Sequence, residues 1–122
     1  MTFPIVRNEH RNNILHMTIA PAEVSEDVAK EAHELALRLA QGFELAGILA
    51  IELFVTKDER VIVNELAPRP HNLRSLHHRS VLVRPVRRAY SSIAGWPLEQ
   101  PELLKPAVMV NVLGQHVAPT AR

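Results

Sequence analysis

An α+β fold is the prediction for this chain of 122 residues, and three features of the sequence carry it. Two short extended segments near the start are joined by a polar turn. One long amphipathic segment follows, and after it come two nearly continuous apolar runs separated by a charged turn. Strand pairs on either side of a helix imply an antiparallel sheet with helices packed against it. At 47% hydrophobic, the chain has the composition of one domain with a modest core.

The extended segments are Ile5 to Glu9 and Ile14 to Ile19, with Arg11, Asn12 and Asn13 turning the chain between them. Pro21 ends the strand character. Ser25 then caps a helix whose first turn holds Glu26 and Asp27, which suit the positive end of the helix dipole. Val28, Ala32, Leu35, Ala36 and Leu39 recur at helical spacing, whereas Glu26 with Lys30 and Glu34 with Arg38 lie four apart on the wet side. The helix is expected to end near Gln41, with Gly42 in the left-handed conformation beyond it and Phe43 folding back. His33 reads as a surface residue. Gly47 to Val55 and Val61 to Leu66 are then expected to pair antiparallel around Lys57, Asp58, Glu59 and Arg60. Neither run alternates cleanly with polar residues, so both are expected to be buried on both faces. Ala107 to Leu113 is the last predicted strand.

No apolar run approaches the ~20 residues of a membrane span, and the first residues lack the apolar block of a secretory signal. A cytoplasmic location is the default expectation. With no cysteine in the chain, disulfides and thiolate metal sites are excluded. The net charge is +1, yet Leu73 to Ser91 holds Arg74, Arg79, Arg84, Arg87 and Arg88 and no acidic residue. The remainder is mildly acidic and gives no reason to expect a nucleic-acid partner. That arginine stretch has no interleaved aromatics to stack bases. His77 and His78, adjacent in sequence, make a poor chelate.

Glu52 and Glu65 interrupt the two apolar runs. A carboxylate among apolar strand residues is costly unless a positive group meets it. The two lie at comparable distances from the hairpin tip, so pairing brings them together, and like charges that close repel. A divalent cation resolves the conflict, and the oxygen donors of Glu52, Glu65 and Asn64 suit magnesium, which typically takes one or two carboxylates plus phosphates. The competing reading pairs Glu52 with an arginine such as Arg69 and leaves Glu65 at a frayed strand end. The segment after Glu65 fixes its backbone with prolines and presents Arg69, His71 and Asn72 at the strand's end. Arginine there is fit to grip a carboxylate or phosphate at two points. An ordinary proline-containing loop is the alternative.

The string VNELAPRPHN, preceded by GILAIELFV, resembles the magnesium and substrate signature of the 5-(carboxyamino)imidazole ribonucleotide synthase family, ATP-grasp enzymes of purine biosynthesis. NEHRNNILHMTIAPA near the front and LLKPAVMVNVLG near the back resemble the same family in the same order. The resemblance implies the C-terminal lobe of an ATP-grasp fold. It also implies an activity in which ATP phosphorylates bicarbonate and the carboxyl group passes to 5-aminoimidazole ribonucleotide. By resemblance, Glu52 and Glu65 hold magnesium on the ATP phosphates, Asn64 contributes to the nucleotide site with Glu65, and His10 lies near bound ATP. Arg69, His71 and Asn72 face bicarbonate and the ribonucleotide. Members of the family often dimerise, so a homodimer is a further expected association. The family's N-terminal and central domains have no counterpart here, because Met1 falls inside the ATP-grasp fold. The isolated chain is therefore expected to be inactive, and a noncatalytic remnant or basic interaction module is the alternative function.

The likeness divides the chain into 1–72, the C-terminal part of an ATP-grasp domain; 73–91, the arginine-rich stretch; and 92–122, the last strand region and tail. In the middle portion the resemblance breaks. Back-translating Leu73 to Ser91 and reading one base later, with third bases chosen freely, gives Ser-Gly-His-Tyr-Thr-Ile-Glu-Ala-Cys-Ser-Phe-Ala-Gln-Phe-Asp-Glu-His-Ile-Arg, which is similar to the family's segment. Third-base choice reaches only the middle base of each shifted codon, so the first bases are a genuine test, and all agree. The reading is a one-base insertion near Asn72 compensated by a deletion near Ser91, with a damaged second helix as its consequence. Sequencing the coding DNA tests it: codons that yield this shifted string are expected, and codons incompatible with it would remove the idea.

Overall fold

The computed structural model describes residues 1–69 and 85–114. Strand β1 (Arg7–Arg11) pairs antiparallel with β2 (Ile14–Ala20), and helix α1 (Glu26–Gly42) follows. Strands β3 (Ala50–Val55) and β4 (Val61–Ala67) form a second antiparallel pair. Helix α2 (Pro85–Ile93) and strand β5 (Ala107–Val110) complete the described elements. The architecture is α+β, but the strands of the described residues make two sheets where one was expected: a three-stranded sheet in the order β1-β2-β5, and the β3-β4 pair.

Local chemistry explains most boundaries. Asn12 and Asn13 both have positive φ, at 51° and 61°, the requirement of a two-residue hairpin turn that matches strand twist and that asparagine tolerates well. The turn pairs Arg11 with Ile14, so β1 lies about two residues later than the apolar pattern suggested. The side chain of Ser25 accepts a hydrogen bond from the Val28 amide at 3.3 Å, capping α1 as expected. The other end differs from expectation. Gly42 is still helical, and Glu44 takes the left-handed conformation at φ 47°. The Leu45 amide donates to the Ala40 carbonyl and the Glu44 amide to the Gln41 carbonyl, each at 3.0 Å, a pairing that satisfies the last carbonyls without glycine. Phe43 is exposed and does not fold back.

The core is thin. The buried apolar side chains among the described residues are Ala20, Val28, Ala32 and Ala67, together with Pro101 in the later part of the chain. Leu35, Ala36 and Leu39 of α1 are half-buried along the same stripe, and so is His33. α1 packs against both β3 and β4. Thr18, wholly buried, donates to Asn8 Oδ1 at 2.8 Å, which satisfies a hydroxyl that burial would otherwise penalise. The expectation that β3 and β4 are buried on both faces is not met: Phe54 is 60% exposed and its cross-strand partner Ile62 45%. The pairs Glu26–Lys30 and Glu34–Arg38 do not close; the described ion pairs are Arg7–Glu9 and Arg60–Asp58, both at 2.7 Å.

Residues 70–84, which hold most of the arginine stretch together with His71, Asn72, His77 and His78, lie outside the described residues. Its last part is helical. Pro85 opens α2, where the missing amide proton costs no intrahelical bond, so a second helix exists over these residues. Arg88 is only 6% exposed. Its guanidinium lies 5.7 Å from the centre of the Phe3 ring and 3.6 and 3.8 Å from the Met1 sulfur, a weak acceptor, while its Nε has no hydrogen-bond partner. Burial pulls its pKa down, partly offset by the charge of Glu99.

Two outcomes follow. Arg88→Met removes a buried donor without a partner and is expected to raise stability by about 1 kcal/mol, net of the lost ring contact; a lower melting temperature would contradict this. Asp58, in the β3-β4 turn, is held below the ordinary aspartate value by the Thr56 hydroxyl and then by the Arg60 guanidinium. Its folded pKa is depressed, so its contribution to stability is complete above the unfolded value and disappears as pH falls through the folded one. An NMR titration should place its midpoint below 3.8, and a midpoint at or above that value would refute the account.

Candidate functional site

The β3-β4 hairpin carries the candidate site, and its turn sets the register. The Thr56 amide donates to the Arg60 carbonyl at 3.0 Å, and the Arg60 amide donates to the Thr56 hydroxyl at 3.0 Å. Outward from this closure Val55 pairs with Val61, Phe54 with Ile62 and Leu53 with Val63. Continued regularly, the ladder would set Glu52 opposite Asn64 and turn Glu65 to the other face, because strand side chains alternate. The register instead shifts between Glu52 and Leu53, and Glu52 pairs with Glu65. Asn64 is the extra residue of a β-bulge, two residues opposing one.

The bulge gathers the polar groups. Directly paired residues present their side chains to one face, which places the two carboxylates together. The Asn64 carboxamide joins them, its Nδ2 donating to Glu52 Oε2 at 3.4 Å. Glu65 lies inside β4, so it is not at a frayed end. Glu52 is half-buried, whereas Asn64 and Glu65 are exposed. The carboxylates thus occupy a partly solvated sheet surface and not the dry interior that the apolar runs suggested. Among the described residues no three His, Cys, Asp or Glu side chains converge on a metal position. Two carboxylates with a carboxamide oxygen nevertheless fit magnesium, whose remaining positions phosphate and water fill.

The other sequence-derived residues distribute unevenly. Arg69 is exposed just past β4, its amide donating to the Ala67 carbonyl at 2.8 Å. His10 stands on β1 in the other sheet, beside a second register shift that leaves His16 as the extra residue. The structure therefore joins Glu52, Asn64 and Glu65 in one cluster and puts His10 on a separate element. The bulges were not read from the sequence. Their one signal at the hairpin is an asparagine breaking an apolar run next to a glutamate.

Residues 1–76 match the ATP-grasp domain family. The chain is 44% identical over 118 residues to N5-carboxyaminoimidazole ribonucleotide synthase of Bacillus subtilis (strain 168), a match covering 95% of this chain and 30% of that protein. The crystal structure of an ADP complex of an N5-carboxyaminoimidazole ribonucleotide synthetase superposes with a TM-score of 0.89 at 43% identity, over 93% of this chain and 30% of that one. An N5-carboxyaminoimidazole synthase from Aspergillus clavatus, in complex with ADP and 5-aminoimidazole ribonucleotide, superposes with a TM-score of 0.85 at 25% identity, over 92% and 31%. The chain thus spans about 30% of the length of these three relatives.

Proposed function

The chain belongs to the ATP-grasp family, and on that premise we propose that it forms the magnesium–ATP and substrate-facing wall of a ligase that carboxylates 5-aminoimidazole ribonucleotide with bicarbonate. The observation that carries this reading is the cluster of Glu52, Asn64 and Glu65 on one face of the β3-β4 pair. Two paired carboxylates with a carboxamide beside them make a hard oxygen-donor set of the kind that takes a magnesium ion shared with a polyphosphate. Magnesium, when bound, offsets negative charge on the transferring phosphoryl group, the dominant demand of such chemistry.

Each protein group then has a stated task. Glu52 and Glu65 are the metal ligands, and the Asn64 amide holds the Glu52 carboxylate in place while its own oxygen faces the nucleotide site. His10 lies near the nucleotide. Arg69, by its position just beyond β4, grips an anionic oxygen of bicarbonate or of the ribonucleotide phosphate. His71 and Asn72 follow it in sequence and complete that side. Similarity to enzymes whose structures hold ADP, and in one case 5-aminoimidazole ribonucleotide, supports the assignment. One wall of a cleft supplies only part of the binding free energy, so this chain by itself is expected to bind nucleotide weakly and not to turn over.

Titration with ATP, with and without magnesium and followed by NMR, tests the proposal. Saturable binding should need magnesium and should weaken about tenfold, near 1.4 kcal/mol, in Glu52→Gln and in Glu65→Gln. Binding that ignores both substitutions, or no saturable binding at all, would favour the noncatalytic alternative.

A further inference from the structure

The two sheets share no strand pairing, yet the proposed site draws on both, His10 from one and Glu52 with Glu65 from the other. α1 provides one link, since it follows β2 and packs on β3 and β4. A second link runs through α2. Its Arg88 guanidinium holds Met1 and Phe3, in the segment leading into β1. Four residues on, the Ser92 hydroxyl accepts a hydrogen bond at 3.0 Å from the Gly47 amide, in the loop leading into β3. Residues four apart share one helix face, whereas Tyr90 and Ile93 are 68% and 66% exposed.

Each end of the Ser92 contact lies at or beside an irregular backbone position. Gly47 has φ 130°, a backbone state that residues bearing a side chain rarely adopt. α2 is terminated just after Ser92: Gly95 has positive φ, and the Trp96 amide donates to the Ser91 carbonyl at 2.8 Å. Among the described residues α2 makes little contact with the strands themselves, so its ties run to the segments that lead into them. We infer that Ser92 is a positioning residue, and that through Ser92 and Arg88 helix α2 braces the sheet carrying His10 against the sheet carrying Glu52 and Glu65. The functional importance of that separation rests on the proposed nucleotide site; the brace itself does not.

The chain has no cysteine, so nitroxide labels at Arg11→Cys and Lys57→Cys report one distance between the sheets by electron paramagnetic resonance. In the otherwise unchanged chain a single narrow distribution is expected. Ser92→Ala should broaden it about twofold by releasing one tie, and Ser92→Thr, which keeps the hydroxyl, should restore it. An unchanged distribution in Ser92→Ala, equal broadening in Ser92→Thr, or global unfolding of either variant by circular dichroism would overturn the assignment. No nucleotide is present in this experiment, so failure of the ATP titration leaves its outcome interpretable.

Discussion

The bulge at Asn64 is the constraint on which the site depends. A hairpin closed at Thr56 and Arg60 propagates its register outward, and side chains alternate faces at every step. Without an inserted residue, Glu52 and Glu65 would lie on opposite sides of the pair. With it, two carboxylates and a carboxamide share one surface. Oxygen donors gathered on one partly exposed face suit a hard cation, and on that ground the surface reads as a binding site.

What holds this surface in place is modest. The described core is built from three alanines, a valine and a proline, and large apolar side chains such as Phe54 and Ile62 remain open to solvent. Order comes from directional chemistry: the asparagine turn of β1-β2, the Ser25 cap, the closure of α1 over Glu44, and the hydrogen-bonded turn at Asp58. Such contacts specify geometry more than they add stability, since each contributes on the order of 1 kcal/mol. Arg88 shows the same trade, its guanidinium tying Met1 and Phe3 to α2 at the cost of a buried Nε that meets no acceptor among the described residues.

Much of this was legible before any coordinates. The helix from Ser25, the first hairpin and the β3-β4 pairing follow from capping chemistry and apolar spacing, and the nearness of Glu52 and Glu65 followed from counting back from the turn. That count was one residue off from true equivalence, and only the bulge makes it correct. The left-handed residue ending α1 was assigned to Gly42 because glycine pays no steric penalty there, but the hydrogen-bond pattern of the last turn places it at Glu44. The burial expected of β3 and β4 is not met because an apolar strand declares what it can pack against and not what covers it. His10 shows the remaining limit, since sequence spacing says nothing about which sheet a strand joins.

The central claim is that Glu52, Asn64 and Glu65 form one cation site for a nucleotide's phosphates. Paramagnetic manganese in place of magnesium reads this directly, by broadening NMR resonances of nearby nuclei in the presence of ATP. The account predicts broadening centred on Glu52, Asn64 and Glu65, enhanced by ATP and displaced by excess magnesium. Broadening centred on another part of the chain, or spread evenly over its acidic surface, would contradict it.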